Sequence, residues 1–122
     1  MTKTHTTGTK GEDVAVQFLK ARGFRVLERN YSVQTGEIDI IAESYEGTLH
    51  FVEVKTSARA LSREIGDYWP EERVNTKKQE HILKTAEVYL KGRDIAAQCD
   101  VIAVILDDKN GKAHVRFVEN AF

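Results

Sequence analysis

Apolar positions recur with two different periods along this chain of 122 residues, and the changes of period divide it into elements. From Thr9 to Arg22, Val14, Ala15, Phe18 and Leu19 recur at helical spacing and share one face. Gly23 follows as a stop signal. Period two then takes over. Phe24–Tyr31 reads as a strand with Phe24 and Val26 inward, and Ser32–Gly36 as a turn. Glu37–Glu43 is a second strand, Ser44–Gly47 a second turn, and Leu49–Thr56 a third strand rich in Val and Phe. Ser57–Pro70 has no period, holds Gly66 and Pro70, and reads as a mobile loop. Helical spacing returns over Thr76–Leu90, where Ile82, Leu83, Ala86, Tyr89 and Leu90 share a face and Gly92 ends the run. Asp100–Leu106 is almost continuously apolar, as a strand covered on both faces should be. Asn110-Gly111 signals a hairpin turn. His114–Glu119 returns as a last strand whose second face mixes Arg116 with Val118, which suits an edge. Residues 1–8 lack any apolar period and read as a flexible terminus before a single domain over 9–122.

The order is therefore α-β-β-β-α-β-β, with a C-terminal hairpin strand. A three-strand meander followed by a helix and a further strand predicts an α/β domain: a mixed sheet flanked by helices. Composition changes this picture little. Hydrophobic residues at 41% and charged residues at 30% are globular values, unlike those of a disordered or membrane chain. No apolar run approaches a membrane span, and no basic-then-apolar leader opens the chain. Cys99 has no second cysteine to pair with, which fits a reducing, cytoplasmic setting. Eighteen basic against 19 acidic residues give a net charge of −1. That balance argues against a nucleic-acid coat protein. An enzyme stays open, because acidic metal ligands offset basic phosphate contacts in the sum.

Two segments carry candidate chemistry: Gly36-Glu37-Ile38-Asp39-Ile40-Ile41 and Phe51-Val52-Glu53-Val54-Lys55. Residues two apart on a strand share a face. Glu37 and Asp39 then point one way and Ile38 and Ile40 the other, and Glu53 and Lys55 share a face opposite Val52 and Val54. The turn at Ser44–Gly47 pairs the two strands, which sets Asp39 beside Glu53 with Lys55 beyond. Adjacent carboxylates repel unless a cation lies between them, and oxygen ligands suit Mg²⁺ or Mn²⁺. A backbone carbonyl near Val54 would complete such a site. Lys55 would orient or deprotonate a water, or stabilise charge on a phosphate. Together these parts form an apparatus for metal-assisted phosphodiester hydrolysis. The same residues also suit a half-solvated sheet face with cross-strand charge pairs, and the spacing alone leaves both readings open.

Gly11-Glu12, Glu28-Arg29-Asn30-Tyr31, Gly36–Ala42, Phe51–Lys55 and Lys77-Lys78-Gln79 together resemble the YraN-like family of small bacterial proteins. That family is similar to archaeal Holliday-junction resolvases and falls within the PD-(D/E)XK nuclease superfamily. The likeness covers the chain from Gly8 onward. It implies a restriction-endonuclease-like αβββαβ core, Asp39 and Glu53 as metal ligands, and Lys55 as the catalytic lysine. Glu12 matches the acidic residue that resolvase-like members bring to the site. Two departures stand out. Thr56-Ser57-Ala58-Arg59 sets its arginine further from the lysine than relatives tend to, and Gln98-Cys99 stands where an arginine and an aromatic are common.

Gln79 shares the inward helix face of Ile82 and Leu83; it would either reach the metal site or bond backbone at the helix start. Lys77, His81, Lys84 and Lys91 form an outward stripe, read either as an ordinary solvated face or as a track for a DNA backbone. His5, His50, His81 and His114 show no zinc spacing and read as structural or surface residues, and Cys99 reads as a small buried hydrophobe. Tyr68-Trp69-Pro70 would stack on bases or cap a core edge. Asp107-Asp108 reads as turn chemistry. The expectation is a metal-dependent endonuclease acting on DNA, including branched forms, for which a two-fold homodimer would suit cutting of two strands. The alternative is a nucleic-acid-binding or assembly module that keeps the fold and does not cleave, and a weaker third reading is a structural protein.

Overall fold

A computed structural model describes residues 7–59, 69–70 and 73–122. Helix α1 spans Thr7–Ala21 and leads into strands β1 (Arg25–Val33), β2 (Gly36–Glu43) and β3 (Leu49–Arg59). Helix α2 (Thr76–Leu90) precedes β4 (Ala97–Asp107) and β5 (Lys112–Val118). The strands form one sheet in sequential order. All neighbours are antiparallel except β3 and β4, which run parallel. The αβββαβ order is thus present, with β5 added as an edge hairpin strand. No helix among the described residues is long and apolar enough to cross a membrane.

Each face of the sheet buries its own core. Ala15, Val16 and Leu19 of α1 pack on Ile40, Ala42, Val52, Ile102 and Val104. Ile82 and Ala86 of α2 pack on Ile38, Ile41, Phe51 and Val101. The interior strand β4 serves both, which is why Val101–Ile105 reads as unbroken apolar sequence and is buried throughout. On the edge strand, Val115 and Phe117 join the α1 side and Val118 the α2 side.

Three expectations need correction. Helix α1 starts at Thr7, so Thr7 and Gly8 belong to its first turn; residues 1–6 of the expected flexible terminus lie outside the described residues. Strand β3 continues through Ser57 to Arg59, and β4 begins at Ala97. The parallel ladder explains both extensions, because it runs unbroken from Leu49↔Ala97 to Arg59↔Asp107 and each strand satisfies the other's backbone. Most of the expected loop, 60–68, lies outside the described residues, and so does Tyr68.

The third correction concerns β2. Strict alternation puts Ile38 and Ile40 on one face, yet Ile40 packs toward α1 and Ile38 toward α2. The strand turns over between them, at Asp39. Its pairing with β3 ends at Ile40↔Val52, while its pairing with β1 continues to Val33↔Gly36. Past Ile40 the strand has one neighbour instead of two and is free to twist away.

Candidate active site

The parting of β2 and β3 creates the site. Beyond Ile40↔Val52 the two strands form a fork, with Asp39 on one prong and Glu53 and Val54 on the other. Val54 N–H points into the fork and has lost its ladder partner. Asp39 replaces it: Val54 N–H donates to Asp39 Oδ2 at 2.8 Å. In an extended strand a residue's N–H and C=O face the same side, so the Val54 carbonyl faces this fork as well. Glu53 is buried, with a relative exposure of 6%. Burial and the Glu53 charge together push the Asp39 carboxyl up to about 7, and the Glu12 charge adds to the shift.

Helix α1 closes the fork from the other face. Gly11 lies against Thr56 of β3 so closely that a Cβ there would fall 1.9 Å from the threonine Oγ1. This contact brings Glu12 to the site. Arg29 lies 3.9 Å from Glu12 Oε1, and Asn30, held at φ +52° in a conformation asparagine tolerates, bonds the same carboxylate. Burial nevertheless raises the Glu12 pKa above its ordinary value, and Glu12 Oε1 is buried with no hydrogen-bond partner among the described residues. A buried, unsatisfied carboxylate oxygen costs free energy unless something satisfies it.

The cation that meets Glu53 is Lys78, which the sequence did not single out. Lys78 Nζ donates to Glu53 Oε1 at 2.5 Å. Burial pulls the Lys78 pKa down, but the bond to Glu53 and the charges of Glu53, Asp39 and Glu37 outweigh it, so the net shift is upward. Asn75 caps α2 by accepting from Lys78 N–H at 2.9 Å, which fixes the backbone from which Lys78 reaches inward. The available signal was positional: a lysine in the first turn after a strong N-cap, inside the Lys77-Lys78-Gln79 run. Lys55 lies two residues beyond Glu53, half-buried, and holds no ion pair among the described residues.

The other candidates separate. Gln79 Nε2 donates to Val74 carbonyl oxygen at 2.7 Å, so Gln79 braces the start of α2. Lys77, His81 and Lys84 are all exposed along one stripe of α2. His50 and Asp100 form a buried pair at 2.5 Å, and Asp100 also accepts from Gln98 and from Asn120 N–H. This network pins β3, β4 and the C-terminal turn together. Asp107 accepts from Lys109 and Asn110 in the last hairpin turn. Trp69 lies under the Arg116 guanidinium, 4.5 Å from its ring centre. Cys99 is buried, and burial raises its thiol to about 11.

The donor set fits a hard divalent cation. Asp39, Glu53, the Val54 carbonyl and the orphaned Glu12 oxygen are all oxygen donors. Among the described residues no three His, Cys, Asp or Glu side chains converge into a cage. The fit is therefore to an ion held by two carboxylates that keeps several waters, as Mg²⁺ does.

The model of the uncharacterised protein family UPF0102 matches residues 11–104. A UPF0102 protein of Dictyoglomus turgidum is 42% identical over 118 residues, covering 94% of this chain and 95% of its own. One from Persephonella marina is 41% identical over 118 residues, covering 94% and 91%. One from Campylobacter jejuni is 43% identical over 104 residues, covering 84% and 86%. Two solved structures are distantly similar. A structure of an EndoMS–dsDNA complex has a TM-score of 0.36 and 14% identity, covering 80% of this chain and 36% of that one. Pyrococcus furiosus SfsA in complex with Ca²⁺ has a TM-score of 0.41 and 17% identity, covering 92% and 61%.

Proposed function

This chain belongs to the uncharacterised protein family UPF0102, and on that premise we propose that it is a metal-dependent endonuclease that hydrolyses DNA phosphodiester bonds. One observation carries the reading: the fork brings Asp39 beside Glu53 in a buried place, where burial first and the Glu53 charge second push the Asp39 carboxyl up to about 7. A fold gains nothing from such a pair unless a cation joins it. Asp39 and Glu53 would hold Mg²⁺ or Mn²⁺, with Glu12 beside them. Such an ion supplies a polarised phosphoryl oxygen and a water of lowered pKa.

The chain's own groups do the rest. Asp39 is held in place by Val54 N–H, so its other oxygen keeps one direction. Lys55, on the Glu53 face of β3 and holding no carboxylate among the described residues, would donate to the attacking water or to a phosphate oxygen. Lys77, His81 and Lys84 on the exposed face of α2 would follow the phosphate backbone. Branched DNA, cut by a two-fold homodimer, is the substrate form the reading favours.

Lys78 supports a second reading. An ammonium already placed on Glu53 would suit a nucleic-acid-binding or assembly module that has no need of a metal. One screen separates the two: linear, forked and four-way DNA incubated with Mg²⁺, Mn²⁺ or Ca²⁺. The nuclease cleaves with Mg²⁺ or Mn²⁺, and Asp39→Asn and Glu53→Gln abolish cleavage with the fold intact. Binding without cleavage under every metal would favour the module.

A further inference from the structure

We propose that Lys78 is a built-in stand-in for the divalent cation: its ammonium holds the Glu53 carboxylate while the site is metal-free and gives it up when metal binds. The inference rests on the metal reading above and assigns a positioning role to a residue which that reading does not use. Its first support is the contact itself, 2.5 Å between Lys78 Nζ and a Glu53 side chain that is 7% exposed. A buried carboxylate without a partner is strongly destabilising, so a metal-free fold needs some cation at this position.

The second support is the lysine's place in its helix. The N-terminal end of a helix carries positive partial charge, so a cation in the first turn is disfavoured there. The first turn of α2 nonetheless contains Lys78 and no acidic residue. A residue that breaks a local rule points to a use elsewhere, and here the Lys78 side chain runs back to Glu53. The third support is access. The Lys78 side chain is 44% exposed, while its backbone is held by the Asn75 cap. Its ammonium can therefore move out to water on a flexible stem without disturbing the helix.

Charge explains why the exchange would favour the metal. One ammonium neutralises Glu53 and leaves Asp39 and Glu12 facing each other's charge, whereas a divalent cation at the fork answers two carboxylates at once. Lys55 cannot take this part, since it holds no carboxylate among the described residues.

The test uses the full chain, Mn²⁺ alone as the probe, calorimetric titration for affinity and thermal melting for stability. Metal-free Lys78→Met should melt about 5 °C below wild type, because Glu53 is left buried and unpaired. The same variant should bind Mn²⁺ about tenfold more tightly, since no cation has to be displaced. Lys78→Arg, which keeps the charge, should stay near wild type in both measurements. Should Lys78→Met not fold, Lys78→Met combined with Glu53→Gln should recover folding, because the unpaired charge is gone. A merely structural lysine would lower the melting point and leave Mn²⁺ affinity equal or weaker, and that result overturns the inference while the metal reading stands. Absence of Mn²⁺ binding in wild type and variant alike would overturn both.

Discussion

Asp39 is the residue on which burial, repulsion and backbone pairing all act. Its carboxyl is pushed up to about 7 in the folded protein, against an ordinary value of 3.8. The folded state thus keeps this proton to higher pH than the unfolded chain does. The stability that follows is fully present below about pH 4 and is lost as pH rises through about 7. The loss should be on the order of a few kcal/mol in metal-free protein. Asp39→Asn should remove most of that dependence and raise the metal-free melting point at pH 8, and saturating Mg²⁺ should flatten the wild-type profile. Melting curves from pH 5 to 8 check this; a wild-type profile that rises with pH would contradict it. Period-two spacing was enough to mark Asp39, Glu53 and Lys55 from the sequence. It could not reveal Lys78, because a helix face across the sheet has no fixed offset from a strand residue. Nor could it reveal the turn-over at Asp39, since alternation assumes a strand with regular neighbours.

At the scale of elements, the site depends on how closely α1 approaches β3. The Gly11–Thr56 contact leaves no room for a side chain, and the nearest threonine atoms include Cβ at 2.7 Å, so a small rotation cannot relieve the clash. Gly11→Ala should cost about 1–3 kcal/mol by overpacking and shift Glu12 out of the fork. Thr56→Ala in the same chain should return only part of that stability, because it removes Oγ1 and Cγ2 from the contact and leaves Cβ 2.7 Å away. Denaturant melts of the two single variants and the double variant measure the coupling, and additive effects would show that the close approach does not matter. Helix α2, expected over about Thr76 to Leu90, spans those bounds, because its apolar spacing and the Gly92 stop coincide. The ends of β3 and β4 were not. Ser57–Arg59 and Ala97–Cys99 look like loop by composition and become strand only because each pairs with the other.

For the whole molecule, a net charge of −1 limits how DNA could be held. The acids gathered at the fork account for part of the negative total, and the exposed stripe of Lys77, His81 and Lys84 lies on the outer face of α2. Binding should therefore be weak and salt-dependent, with a log–log slope of roughly −0.9 per phosphate neutralised. Changing both Lys77 and Lys84 to Gln should reduce that slope by about 2; an unchanged slope would place the phosphates elsewhere. The αβββαβ order and the C-terminal hairpin could be read from periodicity. The depth of the fork could not, because it is set by where two strands stop pairing. The central claim is that this fork cleaves DNA, and the most direct test compares wild type with Lys55→Ala, purified in the same way, on four-way DNA with Mg²⁺. Lys55 is no metal ligand, so the variant should keep metal binding and lose cleavage by about 100-fold or more. Equal cleavage by the two proteins would point to a contaminating nuclease and contradict the account.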